Sequence, residues 1–212
     1  MSFPVPPSAA SPPSLPEKRF RRSKKAVSMV ASFLLLVLAI LVGLSMTILP
    51  IGIGSQIFLM PSSGMDPAIT PGDHVYVNFR AYRNELPARG DIVAFWSADV
   101  PAIDTKDGYS SYFALRVVGL PGEEISVVDG KLTVNGAIPP ELQNLGYVTA
   151  DFPTGPLRAD GVVYRVPQDC IFVLGDNTRA SYDSRYWGPL PVSALRGRAE
   201  ACVWPPNRLA PY

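Results

Sequence analysis

Two short segments of the chain bring together residue types that hydrolyse bonds by nucleophilic attack. In the first, Ser62 and Ser63 precede a Gly-Met pair and a Pro-Gly-Asp turn at residues 71–73. In the second, Ser181 precedes an Asp-Ser-Arg run at residues 183–185. A serine hydroxyl becomes an effective nucleophile when a neighbouring base accepts its proton. A serine in either segment could therefore act as a nucleophile only if a base lies beside it.

Few residues are candidates for that base. Lys106 lies in a polar loop, residues 104–108 (DTKDG), and Lys131 follows a hairpin turn, so we interpret both as solvated charges. The single histidine, His74, follows the Pro-Gly-Asp turn, and we interpret it as a strand surface residue. Two cysteines and one histidine do not supply the roughly four ligands of a Cys and His zinc site. We predict neither a metal nor a cofactor.

Residues 55–212 are predicted to form the elements that position these groups. Alternating or β-branched runs are separated by Pro-Gly, Asp-Gly and Asn-Gly signals, a pattern typical of antiparallel sheets. An Asp-Gly pair at residues 129–130 joins two such runs as a two-residue hairpin. The predicted strands are residues 74–78, 91–96, 113–118, 124–128, 131–134, 162–166, 170–174 and 198–204. The predicted fold class is therefore mainly β, as one antiparallel domain.

The region before this domain has the composition of a membrane anchor. Residues 26–49 are 24 uncharged and mostly apolar residues. At about 1.5 Å per residue, a helix of this length exceeds the hydrocarbon core of a bilayer, which is about 30 Å thick. A cleaved signal peptide is the alternative, but its apolar region would be only about 7–15 residues long. We therefore predict one transmembrane helix over residues 26–49.

Charge predicts the orientation of that helix. Residues 1–25 contain six basic residues and one acidic residue, and residues 1–16 contain six prolines and four serines. Such a segment is predicted to be a disordered tail, and its positive charge is expected to keep it in the cytoplasm. The chain is then single-pass in the cytoplasmic membrane, with residues 55–212 extracytoplasmic. A net charge of +1 for the whole chain gives no argument for binding nucleic acid.

Four segments resemble, in order and spacing, sequence boxes of the bacterial type I signal peptidases. They are residues 61–73 (PSSGMDPAITPGD), 89–95 (RGDIVAF), 115–122 (LRVVGLPG) and 175–188 (GDNTRASYDSRYWG). Members of that family are membrane-bound serine endopeptidases with a Ser-Lys dyad. The resemblance implies a signal-peptidase-type β domain, and it implies signal peptides of exported precursor proteins as substrates.

The sequence departs from the family at the two positions that carry the chemistry. The family nucleophile is the residue before Met65, which here is Gly64. The family lysine is the residue before Arg116, which here is Leu115. Glycine has no nucleophilic side chain, and leucine cannot accept a proton. By analogy with other serine proteases, losing nucleophile and base together lowers turnover on the order of 10⁶-fold.

The other site positions match the family. Ser62 corresponds to the hydroxyl that helps to bind the oxyanion, and Ser181 corresponds to the hydroxyl that orients the lysine. We expect Asp176 and Asn177 to order the turn before Ser181 through side-chain-to-backbone bonds. The resemblance also implies a scaffold around the site, formed by Met65, Arg116, Asp176, Asp183 and Arg185.

Three functional hypotheses follow. In the first, the chain is a catalytically degenerate homologue that binds signal or precursor peptides, or assists an active paralogous peptidase. In the second, it is an active peptidase with a rearranged site in which Ser63 attacks, although a one-residue shift on an extended segment turns the side chain to the other face. In the third, it is a non-enzymatic, membrane-tethered assembly module. The lipid bilayer is a partner in each case.

The two cysteines could form a disulfide or remain free thiols. Cys170 and Cys202 both lie in predicted strands. An extracytoplasmic location permits a disulfide between them, but the bond requires Cα atoms within about 7 Å of each other. Two buried thiols are the alternative. Neither cysteine occupies a family site position, so neither is a catalytic candidate.

Overall fold

The computed structural model describes residues 29–42, 54–103, 110–146, 148 and 155–212. The chain divides into two units, Met1–Ile51 and Gly52–Tyr212. In the first unit, residues 29–42 form helix α1. Within the described part of the chain, no helix combines the length and the apolar character needed to cross a bilayer. The predicted tail, residues 1–25, lies outside the described residues.

The second unit, here called the β domain, is built mainly from strands. Its strands are β1 (Ser55–Leu59), β2 (His74–Asn78), β3 (Ile92–Trp96), β4 (Tyr112–Gly119), β5 (Glu124–Val128), β6 (Lys131–Val134), β7 (Tyr164–Arg165), β8 (Cys170–Leu174), β9 (Leu190–Pro191), β10 (Leu195–Trp204) and β11 (Ala210–Pro211). One short α-helix, α2 (Ser184–Trp187), precedes β9. Single 3₁₀ turns are formed by Ser97–Asp99, Pro140–Leu142, Val192–Ala194 and Pro206–Arg208.

The strands form two antiparallel sheets. The larger sheet has the order β1-β2-β10-β3-β4-β8-β9, and β11 pairs with β10 beside this path. The smaller sheet has the order β6-β5-β7. Every strand pair is antiparallel. The prediction of a mainly β, antiparallel domain is confirmed.

Local sequence signals located most strands correctly. Strands β2, β5, β6 and β8 have the predicted bounds, and the turn at Asp129 and Gly130 has positive φ angles of 49° and 71° at its two residues. These angles are those of the turn that Asp-Gly pairs favour in hairpins. The predicted strand at residues 162–166 is shortened to the two residues of β7. Strand β1 was not predicted, because exposed and half-buried residues do not alternate along this edge strand.

Strand β8 lies between two apolar clusters and connects the two halves of the core. Ile171 and Val173 belong to the cluster under the larger sheet, whereas Phe172 and Leu174 belong to the cluster beside the smaller sheet. Successive side chains of a strand point to opposite faces, so a strand buried on both faces is apolar at every position. This double burial makes β8 a rigid base for the segment that follows it.

The structure contains two free, buried thiols rather than a disulfide. Cys170 lies in β8 and Cys202 lies in β10. Burial raises the pKa of the Cys170 thiol to about 11, with a further contribution from the neighbouring Asp169. A thiol with a raised pKa is mostly protonated at neutral pH and therefore a poor nucleophile.

An ion pair at the turn before β2 makes stability depend on pH. The buried carboxylate of Asp73 accepts hydrogen bonds from Arg208 Nε at 2.8 and 3.1 Å, and from the Thr70 N–H at 2.8 Å. Burial alone raises the pKa of Asp73, but these hydrogen bonds outweigh it and hold the pKa below the usual 3.8. A depressed pKa in the folded state contributes stability above pH 3.8, and this contribution is lost as the pH falls through the folded-state pKa.

We therefore expect Asp73→Asn to lower the free energy of unfolding by about 1–3 kcal/mol at pH 7, the range for hydrogen bonds to charged groups. The difference from the native chain should shrink as the pH is lowered below about 4, since Asp73 of the unfolded chain then takes up a proton while the folded carboxylate stays ionised until the pH falls through its lower pKa. Urea unfolding at several pH values measures both quantities. An equal loss at every pH would show that the charge of Asp73 contributes nothing.

Candidate functional site

The first wall of the candidate site is the loop after β1. The side chain of Met65 is 2% exposed and packs in the core cluster of the larger sheet. The Ile69 N–H donates to the Met65 carbonyl at 2.9 Å, which begins a turn at the end of the loop. Anchored in this way, residues 60–65 present Ser62 and Gly64 to a groove.

The second wall is the first half of β4. Strand β3 pairs with β4 from Tyr112 to Arg116, whereas β8 pairs with β4 only from Arg116 to Gly119. The side of residues 112–115 that faces away from β3 therefore has no strand partner among the described residues. Leu115 is 4% exposed at the end of this stretch. An unpaired edge of this kind presents free N–H and C=O groups to an added strand.

The floor of the groove is formed by residues 180–182, within the last sequence box. Ser181 is 6% exposed, and its Oγ has no hydrogen-bond partner in the described part of the structure. A Cβ placed on Gly64 would lie 3.7 Å from the Cα of Ser181 and 3.8 Å from its Cβ, so the two residues are direct neighbours. A buried hydroxyl without a partner costs on the order of 1–3 kcal/mol and requires an explanation.

These segments enclose a groove of about 320 Å³. It is lined by residues 60–62, 64–65, 111–115 and 180–182. All of these lining residues are uncharged, and most are apolar. The groove therefore has the character of a site for an extended apolar segment, and the described residues of its lining include no lysine, histidine or carboxylate that could act as a base.

Two ion pairs hold the last box in place. Arg185 and Asp183 are both fully buried, and Nε and Nη2 of the arginine donate to the two carboxylate oxygens at 2.8 Å each. Asp183 also accepts a hydrogen bond from the Gly175 N–H at 3.1 Å. Arg116 donates to the carboxylate of Asp176 at 2.7 and 2.6 Å. Bidentate pairs of this kind specify geometry as well as supplying attraction.

The residue after Asp176 joins the last box to the first. Nδ2 of Asn177 donates to the Ser63 carbonyl at 3.1 Å, and the Asn177 N–H donates to the Gly64 carbonyl at 3.1 Å. The sequence predicted that the Asn177 side chain bonds to the backbone of its own turn. It bonds instead to the backbone of a distant loop. Asp176 likewise pairs with Arg116 instead of ordering the turn. Asn177 and Ser63 are 114 residues apart in sequence, so no local signal identifies this clamp.

Gly175 makes the close approach of the two boxes possible. A Cβ at this position would lie 2.3 Å from the Gly64 carbonyl oxygen, 2.3 Å from Ser181 Oγ and 2.5 Å from Ser181 Cβ. Real side chains do not tolerate such distances, so any residue larger than glycine would push the loop and the floor apart. The need for glycine here follows from packing and was not predicted.

The alternative catalytic candidates lie elsewhere. Ser63 is half-buried and does not line the groove, and its carbonyl accepts a hydrogen bond from the Asp66 N–H at 3.1 Å. Lys131 is exposed on β6, in the smaller sheet. His74 lies on β2, where its Nδ1 is buried without a partner among the described residues. Lys106 lies outside the described residues. The structure thus brings together Ser62, Gly64, Leu115 and Ser181. Of the replacement bases that the structure describes, neither Lys131 nor His74 lines this groove.

An apolar groove beside an unpaired strand edge has the geometry that strand addition of an extended peptide requires. Residues 28–204 match the family described as "Signal peptidase, peptidase S26", and the chain belongs to this family. The family assignment made from the four sequence boxes is therefore confirmed.

Two relatives found by sequence similarity agree with this assignment. The chain is 38% identical over 152 residues to the "Probable signal peptidase I-2" of Synechocystis sp., a match that covers 71% of this chain and 63% of that protein. It is 35% identical over 150 residues to the "Signal peptidase I" of Leptolyngbya laminosa, with 71% and 69% covered. A crystal structure of a signal peptidase I from Enterococcus faecalis V583 is 29% identical, with a TM-score of 0.41 and coverage of 54% of this chain and 97% of that chain. The chain spans less than two thirds of the length of the Synechocystis relative.

Proposed function

We propose that this chain is a catalytically degenerate member of the signal peptidase family, which binds signal or precursor peptides in its groove without hydrolysing them. The main support for the proposal is one observation. Gly64 and Leu115, at the positions expected for the nucleophile and the base, line the same uncharged groove next to Ser181.

The chemistry of these three residues supports the loss of hydrolysis. Gly64 has no atom that can attack a carbonyl carbon, and Leu115 cannot take up a proton. The Ser181 hydroxyl is buried and has no hydrogen-bond partner among the described residues, as expected where the amine that it would orient is missing. Leucine fills an apolar position without the desolvation cost of a buried amine, which favours stability over activity.

The backbone of β4 supports retained binding. An extended peptide added at residues 112–115 would form main-chain hydrogen bonds to the edge that β8 leaves open. Alternate side chains of the peptide would then point to the apolar walls of the groove. Neither interaction requires a nucleophile or a base, so binding is expected to survive the loss of catalysis.

We further propose that residues 26–49 anchor the chain in the cytoplasmic membrane, with residues 1–25 in the cytoplasm and the β domain on the outer side. Precursors held in the same bilayer would then meet the groove at a high effective concentration. In this setting the chain would present peptides to, or protect them from, an active paralogous peptidase.

The test is a combined binding and cleavage assay with the full chain in detergent and a fluorescently labelled precursor peptide. We expect saturable binding and no cleaved product. Ala180→Trp should weaken binding at least about tenfold, because this exposed residue lines the groove and a bulky ring there would obstruct it. Ala98→Trp, at an exposed position outside the groove, is the matched control and should leave affinity unchanged.

Two outcomes would contradict the proposal. Cleavage by the native chain that disappears in Ser63→Ala would identify an active, rearranged peptidase. Absence of affinity for every signal peptide tested would favour the membrane-tethered assembly module, because that function does not use the groove.

A further inference from the structure

The glycine at position 64 is not required by the fold. Its φ angle lies outside the left-handed region that favours glycine. A Cβ at this position would have its nearest neighbours at 3.7 Å, the carbonyl oxygen of Ala180 and the Cα of Ser181, which is ordinary van der Waals contact. Gly175, by contrast, would place its Cβ 2.3 Å from the nearest atoms. The chain could therefore carry a larger residue at position 64, and the absence of one matters for whatever occupies the groove.

The absence of a side chain at position 64 widens the groove locally. Gly64 contributes only backbone to the wall, so the space that a side chain would occupy is open to a ligand. Most of the residues that line the same groove are apolar, including Met60, Ala114 and Leu115, and the atoms nearest to Gly64 are the Ala180 carbonyl oxygen and the Cα of Ser181. None of the described residues that line the groove carries a charge that could compensate one brought in by a ligand. The space beside Gly64 thus suits an aliphatic group and disfavours an ionised one.

We propose that Gly64 determines the size of the peptide side chain that the groove accepts, and that this chain selects a branched aliphatic residue, valine or leucine, over alanine at the position beside Gly64. This inference rests on the proposed peptide-binding function and names the ligand preference of the same groove. A larger aliphatic group fills the open space and removes more apolar surface from water. Valine has two carbon atoms more than alanine and leucine has three, and a single additional methylene group in an apolar pocket changes affinity by about 10–200-fold.

The test uses the full chain in detergent and a set of ten-residue fluorescent peptides based on a signal-peptide cleavage region. Each position in turn is alanine, leucine or aspartate, and dissociation constants are measured by fluorescence anisotropy. We expect one position at which leucine binds about tenfold more tightly than alanine and aspartate binds most weakly. Gly64→Ala should abolish the leucine preference while it leaves the alanine peptide within about twofold of its native affinity.

Gly146→Ala is the matched control. A Cβ at this glycine would meet no atom within 4 Å, its φ is not left-handed, and it lies outside the groove. The Gly146→Ala variant should keep the preference for leucine over alanine. Equal affinity for leucine and alanine at every position, or a preference for alanine, would overturn the inference while the proposed function stands. Absence of binding by all peptides would instead overturn the proposed function, and the inference with it.

Discussion

Precursor cleavage is expected to appear when Gly64 is replaced by serine and Leu115 by lysine in the same chain. The double variant would restore a nucleophile and a base to one groove. A positioned general base typically contributes on the order of 10²–10⁴-fold in rate, so we expect at least this gain over the native chain. Cleaved precursor, separated by electrophoresis over a time course, measures the effect.

The geometry around Gly64 favours this outcome. A serine Cβ fits there without displacement, because the contacts that it would make start at 3.7 Å. A lysine at position 115 would enter the apolar wall beside Ser181, whose Oγ lacks a partner among the described groups and is available to orient an amine. A lysine in an apolar site has a lowered pKa and is therefore partly neutral at the pH of the assay, as a base must be.

Matched variants separate this explanation from a general change in structure. Gly64→Ser alone and Leu115→Lys alone should both stay inactive, because nucleophile and base act as a unit. Adding Ser181→Ala to the double variant should reduce the recovered rate if Ser181 orients the amine. A folded double variant, confirmed by an unchanged circular dichroism spectrum, that still leaves the precursor intact would contradict the assignment of these two positions.

The largest expected effect on stability belongs to Asp183. We expect Asp183→Ala to lower the free energy of unfolding by about 3–5 kcal/mol, the usual range when one partner of a buried ion pair is removed. Arg185 is fully buried and would lose the carboxylate that pairs with it, although Nη2 would still donate to the Thr178 carbonyl at 2.7 Å. The Gly175 N–H would also lose its acceptor. Chemical unfolding followed by tryptophan fluorescence measures the change.

The effect of removing a buried partner can be compared with the effect at an exposed ion pair. Arg165 and Glu124 approach to 3.6 Å, but their side chains are 70% and 52% exposed. Glu124→Ala should therefore cost no more than about 1 kcal/mol, because water screens the pair. Replacing both members of the buried pair, as in Asp183→Ala with Arg185→Met, should cost less than Asp183→Ala alone. Similar losses for Asp183→Ala and Glu124→Ala would contradict the role given to burial.

Local sequence signals were sufficient to predict most strands of the β domain. The Asp-Gly turn at residues 129–130 and the alternation in the strands around it depend on neighbouring residues, so β5 and β6 were located to the residue. Strands β9 and β11 were missed because each has only two residues, one of them a proline, which is too short for an alternating pattern. The transmembrane helix proposed for residues 26–49 stays a prediction.

The sequence by itself determined the family and the identity of the side chains at the two expected catalytic positions. Both follow from the order of residues along the chain, and Gly64 and Leu115 lack the required groups in any conformation. Only the tertiary structure decided that these residues share one groove with Ser181, and that Ser63 does not line it. These facts depend on hydrogen bonds and close contacts between segments more than a hundred residues apart, such as the clamp from Asn177 to Ser63. Such contacts form only when the sheet brings the segments together, so no local pattern encodes them.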